Sequence, residues 1–180
     1  MRYFISDTHF GHEKCWSTFK RADGSSLRDF SSTEEMDQTM IRNWNQIVKP
    51  EDSVYHLGDY VINRRFMHTA TQLSGRKRLV RGNHDLFRTK EYINVGFEEI
   101  YGVWVEPKDK IICSHIPIHP DSINPGWLNI HGHLHYGHVT IDEKRDKIRD
   151  NRYFCVSVEN TDYKPVTLEW IRQRVAEYNT

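Results

Sequence analysis

The sequence predicts an α/β fold in which two mixed β-sheets pack face to face with helices outside. Three observations predict it. Short apolar runs alternate with helical periodicity through the first half, which favours parallel strands. The second half is mostly strand-like runs, which favours antiparallel or mixed pairing. Four of the apolar runs, and one further run at 127–130, end in a cluster of residues that bind metals. These clusters are Asp7-Thr8-His9, Gly58-Asp59, Gly82-Asn83-His84-Asp85, Ser114-His115 and Gly132-His133-Leu134-His135. Ligands just beyond the carboxyl ends of several strands converge on one crevice of such a sheet.

The elements follow in order. Residues 2–6 read as a short buried strand, and 10–31 as a long polar loop of the kind that is usually functional. Ser32 and Glu35 have the spacing of a capping box, and Met36, Met40, Ile41, Trp44, Ile47 and Val48 then recur at helical spacing up to Pro50. A strand at 53–57 precedes Gly58-Asp59. Residues 64–74 read as a helix carrying Phe66, Met67, Ala70 and Leu73, stopped by Gly75. A strand at 77–80, a helical stretch near 88–93 and two or three strands over 97–115 follow, with a turn at Pro107-Lys108-Asp109. Three prolines make 116–126 an ordered loop. Strands are expected near 128–131, 137–141 and 153–158, with a charged turn at 142–152. The last helix, 167–178, would bury Leu168, Ile171, Val175 and Tyr178. A chain of 180 residues without linker or repeat fits one domain over 1–180.

Composition narrows the function. Lys+Arg and Asp+Glu balance at 25 each, which argues against gripping long nucleic acid by its phosphates. No segment approaches the roughly 18 apolar residues of a membrane span, and no signal peptide is visible. Three cysteines, Cys15, Cys113 and Cys155, form no close pair, as expected of reduced thiols in the cytoplasm. The 11 histidines are the departure from ordinary composition. The clusters mix carboxylate, amide and imidazole with no cysteine. That suits Mn²⁺, Fe²⁺ or Ni²⁺ better than a thiolate-rich structural zinc site. Seven candidate ligands are too many for one ion, so a two-metal hydrolase is the leading expectation.

Asp-x-His, Gly-Asp, Gly-Asn-His-Asp, a later His and Gly-His-x-His, in this order from Asp7 to His135, resemble the calcineurin-like metallophosphoesterases. The chain is most similar to the small bacterial and phage members without a lid domain, whose fold is the two-sheet sandwich already expected. The resemblance implies that Asp7, His9 and His135 bind one divalent ion, that Asn83, His115 and His133 bind a second, and that Asp59 bridges them. A hydroxide held between the ions would attack phosphorus in line, with His84 beside the leaving group and Asp85 orienting it. Mn²⁺ is favoured, with Fe²⁺, Ni²⁺ or Zn²⁺ as alternatives. The expected substrate is a small phosphodiester, such as a nucleotide or a short nucleic-acid end. Phosphomonoesterase or dinucleotide pyrophosphatase activity is the enzymatic rival. A non-catalytic scaffold with a decayed site is the other class, and survival of every ligand and of His84 argues against it.

Other residues carry weaker signals. His12, Arg64 and Trp127 are candidate substrate contacts. His119, His131 and His138 are expected to be structural or to support the ligands. His56 reads as core and His68 as helix surface. Arg76, Lys77, Arg78 and Arg81 read as a solvated edge.

Overall fold

The computed structural model describes residues 1–141 and 148–179. Among the described residues nine strands fall in chain order: β1 (Arg2–Ile5), β2 (Ser53–His56), β3 (Arg76–Val80), β4 (Phe97–Tyr101), β5 (Trp104–Glu106), β6 (Ile111–Cys113), β7 (Leu128–His131), β8 (Tyr153–Cys155) and β9 (Val166–Thr167). The first sheet has the order β4-β3-β2-β1-β9, with β1 to β4 parallel and β9 antiparallel at the edge. The second has the order β5-β6-β7-β8, with β5 antiparallel to β6 and the rest parallel. Both sheets are therefore mixed. A parallel bridge between Ser6 and Ser157 joins the ends of β1 and β8 across the two sheets.

The period-2 alternation of a strand explains how one sheet serves two cores. Tyr3, Ile5, Val54 and Leu79 pack on the outer face with the helices, whereas Phe4, Tyr55 and Val80 pack inward with Ile111, Cys113, Leu128, Ile130 and Phe154 of the second sheet. Four α-helices are present: α1 (Lys14–Ser17), α2 (Thr33–Ile47), α3 (Thr89–Asn94) and α4 (Leu168–Ala176). The helical stripe expected of α2 is the buried one: Met36, Met40, Ile41 and Trp44 fill the outer core. The Trp44 indole donates to the Ser74 carbonyl at 2.9 Å. In α4, Thr167 caps the Trp170 N–H at 3.2 Å, and Leu168, Ile171, Val175 and Tyr178 join the inner core as expected.

Several expectations are corrected. Residues Arg64–Gln72 form a 3-10 helix, capped by the Asn63 side chain. Met67, Ala70 and Leu73 recur every three residues, which suits three residues per turn. Only half of the capping box forms. Ser32 accepts from the Glu35 N–H, but the Glu35 carboxylate turns to the N–H and hydroxyl of Ser31. Residues 137–141 form no strand; Thr140 makes a single bridge to Arg149, because an arm with Ile141 exposed has no sheet to pack against. The expected turn at 142–152 lies partly outside the described residues, at 142–147. The last strand is shorter than 153–158, and Val158–Asn160 instead make a 3-10 turn toward the crevice. The 10–31 loop contains α1 and a bridge between Lys20 and Ser26.

The basic group on β3 is not simply a solvated edge. Lys77 is buried and donates to the carbonyls of Leu73 and Gly75 at 2.7 and 3.1 Å. Arg81 holds the Asp85 carbonyl at 3.0 Å. All three cysteines are free and buried, with burial pushing the thiols of Cys15 and Cys155 up to about 11 and about 12. Among the described residues, no helix is long and apolar enough to cross a membrane.

His56 is core, as expected. Its Nε2 lies 2.9 Å from the Thr8 hydroxyl, which itself donates to the Tyr60 carbonyl, so Nε2 carries the proton. Burial holds the ring neutral, down to about 3 against an ordinary 6.5, and lowers buried His131 to about 4. The unfolded chain therefore binds more protons than the folded one from pH 6.5 down to these values. Their contribution is present above pH 6.5 and is lost as the pH falls below it. Urea unfolding should show stability declining from pH 6.5 to 4, by up to about 1.4 kcal/mol per pH unit for each ring. His56→Gln should reduce that slope. An unchanged slope would mean that His56 is not held neutral.

Candidate metal centre

The site forms where the carboxyl ends of β1, β2, β3, β6 and β7 meet. The chain turns sharply there. Asp7, His9, Asp59, His133 and His135 all have positive φ, between 47° and 69°. Five of the seven candidate ligands thus occupy the left-handed region, which costs a residue with a Cβ roughly 1–2 kcal/mol. Such strain persists where surrounding bonds over-determine it, and it clusters at functional sites.

Glycine makes the approach possible. A Cβ on Gly82 would lie 2.2 Å from Asp59 Oδ1 and 2.5 Å from its backbone nitrogen. A Cβ on Gly132 would lie 2.5 Å from Asp7 Oδ2. Both positions must stay bare for the carboxylates to sit where they do.

Asp7 is wholly buried and accepts from the His133 N–H at 3.0 Å and from the Ser157 hydroxyl at 2.7 Å. Asp59 Oδ1 accepts from the His84 N–H at 2.9 Å. Its Oδ2 lies 3.7 Å from His9 Nε2 and 3.3 Å from His115 Nε2. A single oxygen therefore faces both histidines, rather than each carboxylate oxygen facing a different side.

On one side, atoms of Asp7, His9 and His135 lie within 4.8 Å of one another, and on the other so do atoms of Asp7, Asp59 and His115. Asn83 Oδ1 extends the second group, at 2.9 Å from His115 Nε2 and 3.0 Å from His133 Nδ1.

The donor set fits divalent ions. His115 donates from Nδ1 to the Leu57 carbonyl at 2.8 Å, which leaves Nε2 aimed at two oxygen acceptors. A divalent ion could take these same oxygen and nitrogen donors. Burial lowers His115, but the hydrogen bond to Asp59 outweighs it and raises the ring to about 9. Burial raises Asp59, yet the same bond and charge bring it down to about 2. Asp7 is raised by burial, and His9 is pushed well below its ordinary value by burial and by Arg28.

The other predicted residues separate. His84 is exposed at the rim, with its ring edge-on to His9 at 5.7 Å. Asp85 does not orient it. Its Oδ2 accepts from the amides of Asp59 and Gly82, both at 2.8 Å, and its Oδ1 from the Tyr60 N–H and the Tyr92 hydroxyl. This buried carboxylate ties the Gly58-Asp59 turn to the Gly82-Asn83 turn.

His12 lines a cavity of about 160 Å³ with His9, Phe19, Ile62, His84 and His133. Arg64 and Trp127 do not line it. Arg64 pairs with Glu91 at 2.8 Å, and Trp127 is half-buried after the 116–126 loop. His131 is buried and holds the Gly132 carbonyl, whereas His119 is exposed beside Asp121. A larger cavity, about 630 Å³, lies beside β8 and α4 with His131, His138, Trp170 and Tyr178 in its wall, and no candidate ligand faces it.

Three residues escaped the sequence reading. Ser157 bonds Asp7, Glu159 accepts from His135 Nδ1 at 3.0 Å, and Arg28 donates to Glu159 at 2.8 Å. Ser157 and Glu159 lie just beyond the carboxyl end of β8, the position that marked every other cluster. Reading the strand through residue 158 hid Ser157 inside it, although Glu159 then stood just beyond its end. Arg28, in a polar loop, gave none.

The chain matches the family model of the calcineurin-like phosphoesterases over residues 3–179. It belongs to that family. It is 36% identical over 178 residues to the uncharacterized protein MJ1445 of Methanocaldococcus jannaschii, spanning 94% of this chain and 88% of that one. The gene 66 protein of Mycobacterium phage L5 is 34% identical over 88 residues, 46% of this chain and 39% of that protein. The crystal structure of the Aquifex aeolicus protein of unknown function AQ665 is similar with a TM-score of 0.64 and 30% identity, covering 97% of this chain and 98% of that one. The two mixed sheets and flanking helices are the calcineurin-like fold, and the crevice is this phosphoesterase's candidate metal site.

The cradle around Asp59 yields a prediction. Gly82→Ala should displace the carboxylate, weaken Mn²⁺ binding at every ion that Asp59 touches, and cost about 1–3 kcal/mol of stability. Gly102→Ala, with open space around its added carbon, is the control. Calorimetric titration with Mn²⁺ alongside urea unfolding reads both effects. Wild-type affinity in Gly82→Ala would remove Asp59 from the centre.

Proposed function

We propose that this phosphoesterase hydrolyses small, nucleotide-like phosphodiesters at a pair of divalent ions, Mn²⁺ being favoured by the mixed oxygen and nitrogen donors. The observation that carries the diester is the wall of the 160 Å³ cavity. Among the described residues it contains five histidines, Phe19 and Ile62, but no lysine or arginine. A monoester dianion calls for cationic side chains to clamp its extra charge. A diester carries one negative charge and a second organic group, which the half-exposed Phe19 and Ile62 suit.

In this reading Asp7, His9 and His135 would hold one ion, Asn83, His115 and His133 would hold the other, and Asp59 would serve both. The ions, when bound, supply a water of lowered pKa and neutralise charge on the phosphoryl oxygens. The protein's own work is orientation and proton delivery. Asp85 fixes the two turns that carry Asp59 and Asn83. His84, solvent-exposed on the rim, reaches the departing oxygen and donates a proton to it. His12, across the cavity and in ring contact with Phe19 at 5.6 Å, contacts the organic group. The three unpaired thiols support a reducing, cytoplasmic setting in this reading.

Metal-stripped protein reloaded with Mn²⁺ should hydrolyse bis(p-nitrophenyl) phosphate faster than p-nitrophenyl phosphate. His84→Ala should lower diester kcat by about 10²–10⁴-fold while Mn²⁺ binding is unchanged. Faster turnover of the monoester would overturn the diester assignment. Two bound ions with no turnover of either ester would favour a non-catalytic scaffold.

A further inference from the structure

We propose that Glu159 and Arg28 are positioning residues for one half of the metal centre, assembling the site of Asp7, His9 and His135 before an ion arrives. The inference rests on the two-ion reading above.

Both side chains are fully buried. A buried ion pair is by itself weak evidence for a stabilising role, since a well-packed apolar pair often does as well. What this pair touches is more informative. Glu159 Oε1 accepts from Arg28 Nε at 2.8 Å and from His135 Nδ1 at 3.0 Å. With Nδ1 carrying the proton, Nε2 is the free lone pair, and the ring cannot turn without breaking a buried bond. A carboxylate behind a ligating imidazole also raises its basicity.

The second Arg28 function is on the backbone. Nη1 donates to the Thr8 carbonyl at 2.9 Å, and Nη2 donates to the Asp7 carbonyl. These carbonyls belong to the turn in which Asp7 and His9 adopt φ of 56° and 47°. One guanidinium therefore ties the strained Asp7–His9 turn to the carboxylate that aims His135. The rigid fork of Arg is what lets three directions be served at once. The other oxygen, Glu159 Oε2, is buried and takes no hydrogen bond from the described residues, so the carboxylate is placed for its neighbours rather than for its own satisfaction.

The other half of the centre is built differently. His115 is aimed by a backbone carbonyl, and Asn83 is exposed with His133 partly so. No side-chain carboxylate stands behind that group among the described residues. Loss of Glu159 should therefore act on one ion and spare the other.

Mn²⁺ titration of metal-stripped full-length protein, read by calorimetry and by the electron paramagnetic resonance signal of coupled Mn²⁺ pairs, tests this. Wild type should bind two ions. Glu159→Gln should lose about 10–100-fold in affinity at one of them, with the other unchanged and the pair-coupled signal lost at limiting Mn²⁺. A purely structural role would lower the melting temperature of the metal-free protein and leave both affinities intact, which would overturn the inference. Two ions in wild type and two equally tight ions in Glu159→Gln would overturn it while leaving the two-ion reading standing. One ion or none in wild type would instead remove that reading. Should Glu159→Gln fail to fold because Arg28 is left unpaired, the double variant Arg28→Met/Glu159→Leu removes the buried charges together. It is held to the same criterion.

Discussion

Two carboxylates are buried side by side where five strands end, and the rest of the molecule is organised around that fact. Asp7 and Asp59 are shielded from solvent, and among the described residues no lysine or arginine side chain pairs with either carboxylate. A buried charge is costly unless paired and hydrogen-bonded. Here each accepts one or two hydrogen bonds from backbone amides or hydroxyls, and the remaining faces look at imidazoles. His9 is held neutral, whereas the bond to Asp59 raises His115 to about 9, so that ring offsets part of the carboxylate charge. Divalent ions between the rings would supply further positive charge, and the mixture of oxygen and nitrogen donors suits them.

Holding that anionic pair in place explains features that local propensity would not favour. Five candidate ligands accept left-handed backbone geometry because the strand-end turns must reverse sharply to bring side chains inward. Glycine appears where a Cβ would collide with Asp7 or Asp59, rather than at the strained positions themselves. The sheets are joined at this end by the Ser6–Ser157 bridge, so the second sheet contributes His115, His133 and His135 to a crevice that the first sheet opens. Asp85 and the Arg28–Glu159 pair then act as crosslinks between turns that share no strand. Function follows from the same rigidity. The candidate ligands are fixed by the fold, while His84, His12 and Phe19 stand at the rim of the cavity.

Much of this was legible in the chain. Strand positions, their parallel pairing in the first half, and the α2 and α4 stripes follow from apolar periodicity, which the cores obey. The seven candidate ligands were legible because each cluster follows a strand. Legibility failed where tertiary context decides. The Met67, Ala70, Leu73 spacing admits either helix type, and the segment takes the tighter one with all three in the outer core. Residues 137–141 alternate like a strand but meet no partner sheet. Asp85 follows a histidine and so read as its partner, yet Gly82 of its own turn and Asp59, Tyr60 and Tyr92 claim its oxygens. Arg64 is in the right stretch of sequence, but Glu91 holds it away from the cavity. Arg28 and Glu159 are 131 residues apart, and no local pattern connects them.

The central claim is that seven side chains make two adjoining ion sites that share Asp59. Anomalous diffraction from crystals soaked in Mn²⁺ tests it most directly. The account predicts two peaks in the crevice. One is bonded to Asp7, His9 and His135, and the other to Asn83, His115 and His133, with Asp59 Oδ2 bonded to both. A single peak, or two peaks that leave Asp59 uncoordinated, would contradict it.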